Sequence, residues 1–239
     1  RKLIFSVVVL FSVTVAFAQQ SGVKRYTAPL AGTAELRSVD DKYNAQVFSL
    51  EAPEQDAESE KKKLEEIKAL VRANYPYKST AVQHKTTSTV APPVVSISFV
   101  ADSGSGIPPD NHAAVSKGNK AVSVMNSSIA VHDATTGAYI TKKGLKPFSV
   151  SVGLNNAFND FRYDPKIVYD PIEDKFICVM LNGTVQYNYI VIGFSQTNDP
   201  SGTWNFYKFY GNYDGDTTWF DYPQISITQN EFFLTGNKI

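Results

Sequence analysis

DPKIVYDPIEDKFICVMLN, residues 164–182, reads as one unit: a turn, a short apolar run, a polar turn, and a second apolar run that ends on asparagine. The same order of parts occurs upstream in PPDNHAAVSKGNKAVSVMN (108–126) and downstream in YPQISITQNEFFLTGN (222–237), with openings near Pro109, Pro165 and Pro223. The period of roughly 56 to 58 residues lies near the top of the range for propeller blades. In such an array one repeat is one four-stranded sheet, unable to bury its faces alone.

The second repeat lays out a whole blade. Strands are expected over Lys166 to Tyr169, Lys175 to Leu181, Tyr189 to Ser195 and Trp204 to Phe209, with DPIED, NGTVQYN and QTNDPSGT between them. Consecutive strands joined by short polar turns must pair as an antiparallel meander. The first repeat follows the same plan with Ala113 to Ser116, Ala121 to Met125, Ser128 to His132 and Ala138 to Thr141, and Lys146 to Tyr163 reads as a longer connection. The third copy is interrupted at Ile239. The expected fold is therefore all-β: an incomplete β-propeller of about two and a half four-stranded antiparallel blades over 91–239, against a usual minimum of about four blades for closure.

Arg1-Lys2 leads into LIFSVVVLFSVTV and then Ala16-Phe17-Ala18, the layout of a secretory signal peptide over 1–18 that is cut to leave Gln19 first. The apolar run is short of the ~20 residues that span a bilayer, so no membrane span is expected in the mature chain. Residues 19–90 read as an irregular N-terminal region carrying one short α-helix at about 54–74, where Leu64, Ile67, Leu70 and Val71 recur at helical spacing before Pro76. The helix is expected to be a solvated surface element, or a propeptide or partner helix. A linker then feeds VVSISFV (94–100), an alternating strand. The 23 basic and 23 acidic residues leave no field of one sign, so neither nucleic acid nor an anionic membrane is an expected partner. Cys178 is the only cysteine, which rules out an internal disulfide and, by its place in KFICVML, reads as a small core residue.

The runs PPDNHAAV, VMNSSIAVHDATTG, YDPKIVYDPIEDKF, FSQTNDPSGTWNFYKF and WFDYPQISI resemble a family of large secreted bacterial proteins with a propeller-like domain. In Bacteroidetes-like members such a domain often precedes adhesive modules and a C-terminal sorting domain for type IX secretion. The resemblance covers about 94–239 and implies an extracellular or cell-surface location, further domains downstream in the same polypeptide, and no assigned reaction. Two weaker likenesses point to glycan chemistry. TNDPSGTW is similar to the Asp-box of sialidase-type propellers through Thr197, Asp199, Thr203 and Trp204, with Ser201 where that pattern has glycine. FRYDPK is similar to the Arg-Asp-Pro segment of five-bladed glycosidases, with Tyr163 interposed between Arg162 and Asp164.

Asp110, Asp164 and Asp221 stand at or just before the innermost strand of successive repeats, where propeller strands converge on the central channel. Glycosidases need two carboxylates at roughly 5 to 9.5 Å, a separation that blade-related aspartates could meet. Asp next to Pro is equally ordinary turn chemistry. Trp219 and Tyr222 flank Asp221 as candidate sugar-binding aromatics, a composition that packing between blades also uses. Asn212, Asp214 and Asp216 alternate in GNYDGDTTWFD, a spacing that suits calcium or a plain polar turn. His84, His112 and His132 have no second histidine at ligand spacing, which argues against zinc. Asn126-Ser-Ser and Asn182-Gly-Thr match the glycosylation acceptor pattern. The function expected from these residues is a secreted or cell-surface binding or scaffold module for glycans or protein partners, or else a glycoside hydrolase with part of its site in further blades.

Overall fold

The computed structural model describes residues 27–40, 57–75, 94–103, 108–154 and 161–239. Strands dominate, and every pairing is antiparallel. After β1 (Gly32–Glu35) and helix α1 (Ala57–Asn74), strands β2 (His112–Val115), β3 (Lys120–Met125), β4 (Ser128–Asp133) and β5 (Tyr139–Gly144) form one four-stranded meander. Helix α2 (Leu145–Phe148) leads toward β6 (Tyr163–Asp170), β7 (Lys175–Asn182), β8 (Tyr189–Ser195) and β9 (Thr203–Tyr210), a second meander. The hairpin of β10 (Phe220–Ile227) and β11 (Phe232–Lys238) makes a third sheet. All the strands expected in the two repeats are present. The signal-peptide segment and the linker around 76–93 lie outside the described residues, as does His84.

The second sheet is apolar on both faces. Ile167, Phe176, Cys178, Met180, Val191, Trp204 and Phe206 join Val122, Val124, Ile129 and Val131 of the first sheet in one core. Tyr163, Ile177, Val179, Leu181, Ile190 and Ile192 face the other way, against Phe220, Ile225, Ile227, Phe232 and Leu234 of the hairpin. This is why KFICVML reads as a continuous apolar run and SITQNEFFL does not: β7 has a neighbour on each side. Burial on both faces removes the polar side of the usual alternation. Cys178 sits inside this core, fully buried, and desolvation pushes its thiol up to about 12.

Three sequence expectations need correction. Residues 27–40 are not irregular: β1 pairs with β9 as a fifth strand, Thr33 opposite Asn205, and the following Leu36 is fully buried in the first core. The connection after β5 is a structural plug, since Leu145, Phe148, Val152 and Leu154 are buried and the Phe148 ring meets Trp204 and Phe206 edge-on at 5.4 and 5.0 Å. Its Leu145, Phe148, Val152 spacing is helical, a signal hidden by the polar residues around it. Val94–Val100 forms no ladder among the described residues. Its alternation is real, with Ile97 and Phe99 turned partly inward and Phe99 on the His132 ring at 5.3 Å, so the period reflects burial on one side. Asp102, just after it, accepts from Lys142 Nζ at 2.6 Å and Ser128 Oγ at 2.7 Å, fastening the segment to the first sheet.

Helix α1 begins at Ala57 and carries Leu64, Ile67, Leu70 and Val71 exposed, in keeping with a solvated helix. Among the described residues no helix is long and apolar enough to cross a membrane.

Replacing Phe148 by Ala is expected to cost about 3–5 kcal/mol of stability, read as a lower urea midpoint with unchanged slope. A cost under about 1 kcal/mol would show that the plug is dispensable. Cys178 is expected to resist an aromatic disulfide reagent until the chain is unfolded.

Candidate functional site

The repeats come into register at a backbone feature. Asp110, Asp164 and Tyr222 all have left-handed φ, at 40°, 49° and 47°. Asp164 and Tyr222 each sit in a β-bulge, between the pairs Tyr163 with Leu181 and Lys166 with Val179 in one case and Asp221 with Asn237 and Gln224 with Thr235 in the other. A bulge whose first residue is left-handed normally takes glycine; aspartate is among the few other residues that tolerate it. The equivalent of Asp110 and Asp164 is thus Tyr222, and Asp221 occupies the place of Tyr163. The proline matches mislead here, because Pro109 precedes its left-handed residue whereas Pro165 and Pro223 follow theirs.

Despite this offset the three aspartates converge. Asp164 is 95% buried and lies within the electrostatic reach of both Asp221 and Asp110. Desolvation, then the charges of Asp221 and Asp110, push its carboxyl up to about 7. The neighbouring Asp110 carboxyl adds to the rise and the Tyr222 N–H works against it. Burial likewise raises Asp221, with Asp110 as a further cause, and raises the Tyr163 hydroxyl, with Asp221 and Asp164 behind it.

The oxygens of this cluster are tied across sheets. Asn126 Nδ2 donates to Asp110 Oδ2 at 2.8 Å and to the Pro108 carbonyl at 3.0 Å, while its Oδ1 accepts from the Asp164 N–H at 2.8 Å. Asp164 Oδ2 in turn accepts from the Tyr222 N–H at 3.2 Å. Asn188 Oδ1 accepts from the Phe220 N–H at 3.2 Å, so it too passes from the second sheet to the entrance of β10. Gly211 leaves room for that side chain: a Cβ there would sit 1.6 Å from Asn188 Oδ1. His112 reaches across in the same way, its Nδ1 2.8 Å from the Ile167 carbonyl.

Tyr222 is 45% exposed, and the ammonium of the buried Lys166 stands 4.6 Å from the centre of its ring. Trp219 is half-buried and exchanges backbone hydrogen bonds with Ile239 at 2.9 and 3.0 Å. Arg162 is buried, donating from Nε to Ser149 Oγ at 2.8 Å and from Nη1 to the Phe161 carbonyl at 2.9 Å. Burial pushes it down to about 10, so it stays cationic at neutral pH.

Asp214 and Asp216 do come together, but on Lys238, whose Nζ is 2.6 and 2.8 Å from their carboxylates. Bonds from Lys238 first, and then from Thr218, hold the Asp216 carboxyl well below the usual range. Asn212 turns its side chain to the backbone N–H and carbonyl of Asp216. A calcium ion would have to compete with the lysine for these oxygens. The two glycosylation-like asparagines are buried, and Asn182 Nδ2 donates to the Phe161 carbonyl at 2.7 Å, so both amides are used internally. His132 lies buried between Phe99 and Tyr139.

Sequence reasoning placed Asp110, Asp164, Asp221 and Tyr222 and missed Asn126 and Asn188. A signal for Asn126 was present, since all three copies close on asparagine: Asn126, Asn182 and Asn237. Comparison with protein-family models, curated proteins and solved structures finds no match.

A carboxyl whose pKa is raised on folding contributes stability that is fully present below its unfolded value near 4 and is lost as pH rises through about 7. Asp164→Asn keeps a residue that accepts left-handed φ and removes the buried titrating group. The variant is expected to gain stability relative to the parent from pH 5 to pH 8 in thermal melts. A parent that instead gains on the variant over that interval would sink the reading of Asp164 as a carboxyl protonated by burial.

Proposed function

We propose that the three sheets are successive blades of a secreted β-propeller, with β10 and β11 the inner half of a third four-stranded blade, acting as an extracellular or cell-surface binding module. The signal-like segment at 1–18 supports export, and the motif resemblance supports a place among Bacteroidetes-like surface proteins with further domains downstream. The left-handed positions repeated at the start of each inner strand support the blade reading. So does an open cleft of about 840 Å³ between the outer strands of the second sheet and the β10–β11 turn, in the region that the third and fourth strands of another blade would fill.

The observation that carries the binding reading is the rim itself. Tyr222, half-exposed and next to Asp221 in the chain, stacks on the Lys166 ammonium, while Asp110 and Asp164 commit oxygens to Asn126 and the Tyr222 N–H. Fixed acceptors next to an accessible aromatic face suit recognition of a sugar, or of a polar protein loop, by stacking and hydrogen bonding. On a glycan array the protein is expected to bind a restricted set of glycans. Tyr222→Ala should weaken that binding about tenfold or more, the loss expected of a hot-spot aromatic, with its melting temperature nearly unchanged. Array binding that survives Tyr222→Ala would remove the rim from the function.

A second reading rests on the elevated carboxyl of Asp164 close to Asp221. A buried acid that is half protonated near neutrality beside a second carboxylate is the pairing a glycoside hydrolase uses for proton donation and nucleophilic or base assistance. Hydrolysis of chromogenic glycosides that falls as pH rises through about 7 and vanishes in Asp164→Asn would favour it. Silence across such a panel, with array binding intact, leaves the non-catalytic module.

A further inference from the structure

β1 is placed on the second sheet by a pattern that selects sequence as well as shape. Its backbone adds to the free edge of β9: the N–H groups of Ala31, Leu36 and Arg37 donate to the carbonyls of Phe206, Gly202 and Ser201 at 2.8, 2.9 and 2.8 Å. Main-chain pairing of this kind supplies affinity in strand addition, and pockets for individual side chains supply specificity. Three residues provide the specificity here. Gly32 lies so close to Ser151 that a Cβ would fall 2.5 Å from the Ser151 carbonyl oxygen and Oγ, so any side chain is excluded. Leu36 is fully buried in the core that contains Phe148 and Trp204. Arg37 Nη2 donates to Ser201 Oγ at 2.6 Å and lies 3.8 Å from Asp199 Oδ2, while Ser201 Oγ donates to Asp199 Oδ1 at 2.6 Å. Ser201, the departure from the Asp-box pattern, is thus the residue that receives the arginine.

We propose that the outer edge of β9, with the turn at 199–203, is a docking site for a peptide of the form Gly-x-x-x-Leu-Arg, strand-paired over Gly32–Glu35 and closing in a 3-10 turn over Leu36–Ser38, and that residues 27–40 are its tethered occupant. The segment is separable by construction. Its neighbours in the sheet come 164 residues later in the chain, and the stretch between Asp40 and β2 is long enough for it to leave and return while the meanders stay paired. Tethering raises the local concentration of the occupant, so the edge is filled in cis unless a competing peptide is abundant or the tether is cut. This inference does not depend on the function assigned to the aspartate rim.

The full chain with a specific protease site inserted between Asp40 and Ala57 provides the test, because the tether is then cut after folding. The N-terminal fragment is expected to co-elute with the body on gel filtration and to be displaced, saturably, by a labelled peptide spanning 27–40. Peptides that carry the changes leave the folding of the body untouched. Arg37→Ala in the peptide should weaken binding about 3- to 10-fold, the range for a partly exposed charged hydrogen bond. Leu36→Ala should weaken it about 30-fold or more. Gly32→Val should abolish competition. A fragment that separates on cutting, with no uptake of added peptide, overturns the proposal, and so does a Gly32→Val peptide that binds as well as the parent.

Discussion

A sheet that is apolar on both faces needs a neighbour on each, and β6 to β9 form such a sheet. The other described elements of the β-region are arranged so as to cover it. The first meander and the Leu145–Leu154 plug close one face, and the β10–β11 hairpin closes part of the other. Leu36, Phe148 and Trp204 are therefore parts of one core although they come from the turn after β1, the connection after β5 and strand β9. Covering faces with neighbouring sheets is what makes repeat folds dependent on their neighbours.

Much of this was legible in the chain. The alternation and turn chemistry of KIVYDPIEDKFICVML specify two strands and their hairpin locally, so the meanders follow from short-range rules. The β1–β9 pairing does not, because nothing within Gly-Thr-Ala-Glu distinguishes a strand until its partner is known. Val94–Val100 failed in the opposite sense: its period-2 pattern reflects which side faces the protein, while ladder formation needs backbone groups aligned on a partner strand, which the pattern does not encode. The plug after β5 was hidden because only Leu145, Phe148 and Val152 carry its helical spacing amid polar residues.

The three aspartates lie close together although the alignment that singled them out is offset by one position in the third copy. Prolines mark turns but do not fix register, and the feature that does, a left-handed residue at or near the start of β2, β6 and β10, has no unique letter. Asp110, Asp164 and Tyr222 fill it in three different sequence contexts. The convergence of charge at that end follows from shared topology, whereas the bridging amides of Asn126 and Asn188 depend on side-chain reach that spacing alone does not encode.

The pairing of β1 with β9 also sets an order of events during synthesis. The first strand of the described protein leaves the ribosome long before its partner, and the 164 residues between Arg37 and Ser201 must be made before the two can meet. Until then Leu36 has no core to enter. Contacts of such sequence separation form slowly and late. Once β9 is made its edge is open until the waiting N-terminal segment pairs with it, which makes that segment a guard against self-association as well as a part of the fold.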